Sequence, residues 1–195
     1  MNSKSQTSYT VKEAEQALKR YCAYRERCHK EVEEKLKKMN MIPDARDHII
    51  YILLQENYLN EERFARSFAR GKFRIKKWGK RRIISELKFR QISKRNIEFA
   101  LTEIPTEEYY TTFNELAFKR LKQIKETQPQ KIKKKLADYL LYRGWESSLV
   151  FEKVNEIVNL CFVLKLLRLC VRLIASLFLY CIQRSPAIFL IRLSK

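Results

Sequence analysis

Arg63, Arg66, Arg70, Arg74 and Lys77 stand at steps of 3, 4, 4 and 3. On a helix that spacing lines five cations along one face, and the chemistry they offer is the binding of phosphate or carboxylate oxygens. The window around them, residues 63–95, holds 14 Lys+Arg and one acid, Glu86, for a net +13. The ordinary reading of a charge run is a solvated face. It loses ground here, because like charges at i,i+3 and i,i+4 repel by roughly a few tenths of a kcal/mol per pair. A face that needs only solubility intersperses acids, as residues 26–38 do. The window reads instead as a surface for a polyanion or a filament. Phe73 sits in it between Lys72 and Arg74. Packing against a neighbouring part of the chain and stacking on a base or a partner are equally open to it.

Other reactive chemistry is sparse. Glu61 and Glu62 are adjacent, so they leave a helix on different sides and make a poor acid–base pair. Neither His29 nor His48 has a nucleophile or acid at useful spacing, and no glycine-rich phosphate loop occurs. Cys22 and Cys28 lack metal-ligand spacing. The chain reads as a binding protein, with no catalytic residue, metal or cofactor expected.

Three Gly and four Pro in 195 residues leave little material for hairpins, so an all-α chain of long helices and short connections is expected. The formal charge is +19, from 41 Lys+Arg against 22 Asp+Glu, which favours nucleic acid, anionic lipid or an acidic protein as partner. Five cysteines in so lysine-rich a chain read as reduced thiols of a cytoplasmic protein. The opening MNSKSQTSYT is polar and does not read as a secretory signal.

The elements that position the basic stripe recur with a period of about 50. Phe64, Phe68, Gly71, Ile75 and Trp78 form an apolar stripe roughly 80° wide at a helix's 100° per residue. The same steps give Ala14, Leu18, Tyr21, Arg25 and Cys28 earlier, and Phe113, Ala117, Arg120, Ile124 and Thr127 later. A shorter second helix follows each, with Val32 and Leu36, Ile83 and Leu87, and Ile132 and Leu136 as counterparts. Third helices are expected near 44–57, 93–103 and 146–157, with Asp44 and Ser93 as N-caps. Asn60 should cap the helix of the stripe, which runs to about Trp78 and stops at Gly79. Three units of this kind, each too small for its own core, bury faces by stacking.

YLNEERFARSFARGKFRIKKWG at 58–79, followed by KRRIISELKFRQI at 80–92, resembles the RecX family of bacterial recombination regulators. HKEVEEKLKKM and YILLQENYLN before it support the likeness, which covers roughly residues 10–158. The resemblance implies three repeats of a three-helix bundle in an elongated, curved stack. It also implies a protein that binds the RecA recombinase filament along its groove, contacts single- and double-stranded DNA, and restrains ATP hydrolysis and strand exchange. Arg63, Arg66, Arg70, Lys72, Arg74, Lys76, Lys77, Lys80, Arg81 and Arg82 occupy the motif-matching stretch. With Phe73 they are the expected DNA- or filament-binding residues. Sequence-tolerant DNA binding without recombinase control is the alternative.

The expected organisation is a disordered 1–9, repeats over 10–59, 60–105 and 106–158, and a tail over 159–195. The tail departs from the family. It holds no acid and three cysteines, and Lys165, Arg168 and Arg172 interrupt its apolar run from Leu160 to Ile182. A frameshift-derived segment, a cationic helix on anionic lipid that tethers the protein to a membrane, and a span or packing segment are the three readings of it.

Overall fold

The computed structural model describes residues 9–160, and the readings given for 1–8 and for the tail beyond residue 160 lie outside them. The helices are α1 Val11–Tyr24, α2 His29–Lys38, α3 Pro43–Gln55, α4 Glu61–Lys76, α5 Lys80–Phe89, α6 Lys94–Thr102, α7 Thr106–Gln123, α8 Pro129–Tyr142 and α9 over 147–160. Among the described residues there is no strand, and the all-α expectation holds.

Helix starts follow local chemistry. Thr10 and Glu13 form a capping box, each side chain taking the other's backbone N–H. Asn60 accepts the Arg63 N–H at 2.9 Å and Ser93 accepts that of Asn96, so both stand as caps. Asp44 does not cap: α3 begins one residue earlier with Pro43, and Ile42 is its cap residue. The fixed φ of proline suits a first helical position, and Asp44 lies in the first turn beside the positive end of the dipole.

The second helix of each unit ends alike. Asn40, Gln91 and Gly144 take positive φ of 56, 61 and 82°. The next N–H then reaches the carbonyl five residues back: Met41 to Leu36, Ile92 to Leu87 and Trp145 to Leu140, at 3.2, 3.1 and 3.3 Å. This closure aligns Val32 and Leu36 with Ile83 and Leu87, and those with Leu136 and Leu140, all fully buried. The third unit is therefore one turn out of the register read from the sequence. α8 has 14 residues where α5 has 10, and the added turn carries Ile132 to a half-buried position.

α4 rotates away from its expected stripe. Phe64 is buried and Phe68 packs on the core, but the buried line then runs Ala65, Ala69 and Phe73, while Ile75 is 78% exposed. The cause is α6, which lies along α4 and offers Ile97 and Ala100. Two alanines let that helix approach closely, and Phe73 fills the space beyond them. Nor does Gly79 stop α4. Lys77 takes the left-handed turn at φ 53°, and Gly79 begins α5 as its N-cap residue.

The apolar interior has two parts. Ala14, Leu18, Val32, Leu36, Ile49 and Leu53 anchor a core inside α1–α3. A larger core runs unbroken through α4–α9 and reaches back to take in Cys28. The first unit thus closes its own interior, whereas the second and third share one. Burial pushes the Cys22 thiol from its ordinary 9.0 to about 11 and raises Cys28 as well. Folding then favours the neutral thiol. That stability is whole below pH 9 and is lost as the pH climbs towards 11. With Cys161, Cys170 and Cys181 replaced by serine, the folded chain is expected to resist a thiol reagent at pH 8 and to yield two thiols in denaturant. Fast labelling of the folded chain would show that these cysteines are not held inside.

Candidate nucleic-acid interface

The stripe of arginines on α4 is not uncompensated, because acids reach it from outside its own window. Arg63 Nε meets Glu26 Oε1 at 2.6 Å and its terminal nitrogens donate to Asn57. Arg66 pairs with Glu62 at 2.8 Å and Glu103 at 2.9 Å, and Arg70 with Glu103 at 3.3 Å. Arg74 lies 3.7 Å from Glu108. The hydrogen bond to Glu103 holds the Arg66 guanidinium above its ordinary pKa. Pairs this exposed add little to stability, but they offset the charge of four of the five stripe cations.

These pairs are part of the architecture. Glu103 is the C-cap residue of α6 and Glu56 that of α3, and Glu56 takes Lys19 of α1 at 2.6 Å. First helix to third-helix end is the same latch in both units. The 47-residue offset between Glu56 and Glu103 was the sign in the sequence that could have revealed it.

Beyond the last turn of α4 the pattern changes. Among the described residues, Lys72, Lys76, Lys77, Lys80, Arg81 and Arg82 have no carboxylate within 4.0 Å. They surround the joint where α5 begins and α8 ends. The Gly79 N–H donates to the Arg143 carbonyl at 2.9 Å and the Arg81 N–H to that of Gly144 at 3.1 Å. The Lys80 N–H donates to the Tyr109 hydroxyl at 3.0 Å. Three orphan donors of α5 are thus satisfied by the third unit, two by the carbonyls that end α8. The positive end of one dipole meets the negative end of the other.

Side chains tighten the same joint. Arg81 donates to Ser147 Oγ at 2.7 Å, Arg82 to the Tyr142 carbonyl at 3.0 Å, and Arg143 to the Lys76 carbonyl. Tyr109 donates to Glu146 Oε2 at 2.6 Å. Burial, with that carboxylate beside it, drives its hydroxyl far above the ordinary range, so it remains a donor. Under the joint, Trp145 is fully buried between Tyr109 and Phe113, at ring distances of 4.5 and 5.0 Å.

Phe73 belongs to this interior. It is 1% exposed and packs on Tyr109 at 5.8 Å, so it cannot stack on a base in this fold and leaves the set of surface-binding residues. Of the two roles left open to it, packing against the neighbouring unit is the one it takes. The remaining ten cations thus separate into four held in ion pairs and six concentrated at the joint.

Several residues at the joint carry no mark in the sequence: Tyr109, Tyr142, Gly144 and Trp145. A second feature is a cleft of about 280 Å³ between the first and second units, with Arg25, Glu26, Phe68, Lys72 and Arg90 on its walls. Among the described residues no cluster of three metal-ligating side chains occurs, and no helix is long and apolar enough to cross a membrane.

Two family models match the chain: "RecX, second three-helix domain" over residues 60–101, and "RecX, third three-helix domain" over residues 107–154. The regulatory protein RecX of Lactobacillus gasseri is 31% identical over 138 residues, covering 69% of this chain and 51% of that protein. The regulatory protein RecX of Clostridium acetobutylicum is 31% identical over 134 residues, covering 67% and 62%. The chain spans about half the length of the first relatives it matches. A crystal structure of RecX from Lactobacillus salivarius superposes with a TM-score of 0.65 at 22% identity, over 77% of this chain and 97% of that one, which speaks for the fold. Two family models over successive three-helix units and relatives at 31% identity agree: the chain belongs to the RecX family of regulatory proteins.

Proposed function

We propose that this protein is a cytoplasmic, non-enzymatic modulator of homologous recombination and DNA repair that binds the RecA recombinase filament and its DNA. Binding restrains ATP hydrolysis and strand exchange. The observation that carries the reading is the set of six cations, Lys72, Lys76, Lys77, Lys80, Arg81 and Arg82, that have no carboxylate partner among the described residues and cluster at the joint between two helical units. Such a cluster neutralises phosphates and releases their counterions. Ion-paired Arg63, Arg66, Arg70 and Arg74 support the binding surface from behind, chiefly by fixing α4 to its neighbours. An extended stack suits a long, shallow filament groove, where affinity comes from separated hot spots.

The test is a titration of the full-length protein into RecA filaments on single-stranded DNA at fixed salt, following ATP hydrolysis. Suppression well below the concentration that saturates the DNA is expected. An effect seen only once the DNA is coated identifies instead a sequence-tolerant DNA-binding protein. Six phosphate-facing cations also set the salt response, with a log–log slope of about −4 for single-stranded DNA.

A further inference from the structure

The two boundaries between units are built differently. Across the second, the core is continuous and N–H groups at the start of α5 bond to the carbonyls that end α8. Across the first, Cys28 alone among the buried apolar side chains of the first unit joins the larger core. Among the described residues no backbone hydrogen bond links the first unit to α4 or beyond, and none of α1–α3 lies along α4, α5 or α6. Leu59 belongs to the first unit: its side chain is in that core and its N–H donates to the Leu53 carbonyl at 3.0 Å. Glu61 belongs to the second, where its carboxylate takes the Ser93 N–H. The chain thus passes from one body to the other through Asn60 alone.

What holds the two bodies at their present angle is mostly polar. Arg63 of α4 spreads its guanidinium over the first unit. Its Nε donates to Glu26 Oε1 at 2.6 Å, one terminal nitrogen to Asn57 Oδ1 at 3.1 Å and the other to the Asn57 carbonyl at 3.0 Å. Lys30 Nζ donates to the Phe89 carbonyl at the end of α5, at 3.1 Å. The 280 Å³ cleft lies between the bodies. On its first-unit wall Glu26 Oε2 and Glu31 Oε2 are buried without a hydrogen-bond partner among the described residues, while Arg90 stands on the second-unit wall. A buried acceptor left unbonded favours a movement that brings a donor to it.

We propose that the first unit is a hinged arm that turns about Asn60, is latched by Arg63, and swings to close the cleft and bring Arg90 to Glu31. Hinges concentrate their backbone change in a few residues at the ends of elements. Bodies that share little apolar surface move relative to one another by default. Arg63 is a positioning residue here: three bonds from one planar fork fix an angle, which a lysine ammonium in its place would leave free. The swing sets the curvature of the stack, so it goes beyond the function proposed above and holds whatever the stack binds.

The test is pulsed electron spin resonance on the full chain with Cys161, Cys170 and Cys181 replaced by serine; Cys22 and Cys28 are buried. Spin labels at Arg25→Cys and Ser67→Cys face each other across the cleft, and labels at Ile75→Cys and Tyr142→Cys report on the second and third units. The reference pair is expected to give one narrow distance in every variant. The cleft pair should give a major distance and a minor, shorter one. Arg63→Gln should raise the shorter population by about threefold, Arg63→Lys should act like Arg63→Gln, and Glu31→Gln should lower that population by about threefold. Opposite shifts at unchanged helicity are the mark of a latch and a closing contact, since general loosening moves both the same way. Should Arg63→Gln lose helicity, the parent and Glu31→Gln decide alone. A cleft distance as narrow as the reference in the parent, or a shorter population that Glu31→Gln leaves in place, overturns the arm.

Discussion

Gly144→Ala is expected to lower stability by about 2–5 kcal/mol, and Gly79→Ala by about 1–3 kcal/mol. The two glycines face each other across the joint. A Cβ at Gly144 would lie 2.2 Å from Arg82 Cβ and 2.4 Å from the Arg82 nitrogen, on a backbone whose φ of 82° already disfavours any side chain. The left-handed conformation costs about 1–2 kcal/mol. Forcing atoms into filled space adds about 1–3 kcal/mol. Gly79 has ordinary φ, so its cost is the clash alone, but a Cβ there would meet the Gly144 carbonyl oxygen at 2.3 Å. Backbone stands on both sides and cannot turn aside as a side chain would. Gly71→Ala is the counterpart. It lies inside α4 with nothing within 4 Å, so removing glycine's backbone freedom should raise stability by about 0.5–1 kcal/mol. Urea unfolding followed by the fluorescence of buried Trp145 measures all three. If Gly144→Ala unfolds at the parental midpoint, the close approach of the units is wrong.

Charge reversal separates the two groups of cations. Lys72→Glu, Lys76→Glu and Lys77→Glu together are expected to weaken single-strand binding on the order of a hundredfold, and to flatten the salt slope by about 0.7 per cation. Helicity and the urea midpoint should stay near parental, because none of the three has an acidic partner to lose among the described residues. Reversing Arg66 and Arg70 sets them against Glu103 and Glu62. The main cost then falls on stability, in line with the modest worth of exposed pairs. Circular dichroism, unfolding and anisotropy on the lysine triple and the arginine pair decide the assignment. If the Arg66 and Arg70 pair loses more affinity than the lysine triple at equal stability, the binding surface lies along α4 after all.

The same contrast shows which information each level held. The all-α class, the caps at Asn60 and Ser93, and the buried pairs Val32–Leu36 and Ile83–Leu87 were legible, because each depends on residues within a turn or two of one another. The third unit slipped by one turn because Ile132 and Leu136 have the right spacing and polarity. Only the closure of Trp145 on Leu140 shows that Leu136 and Leu140 are the true counterparts.

Local pattern by itself determined that the chain folds as repeated helices with a strongly basic second unit. The tertiary structure decided which cations are spent. Glu26, Glu103 and Glu108 are distant in sequence from most of their partners, and helix packing brings them onto the α4 stripe. It also decided that Phe73 turns inward and Ile75 outward, since α6 and α7 settle which side of α4 is dry. Electrostatic pairing and burial depend on what the rest of the chain places nearby, and the spacing along one helix carries no record of that.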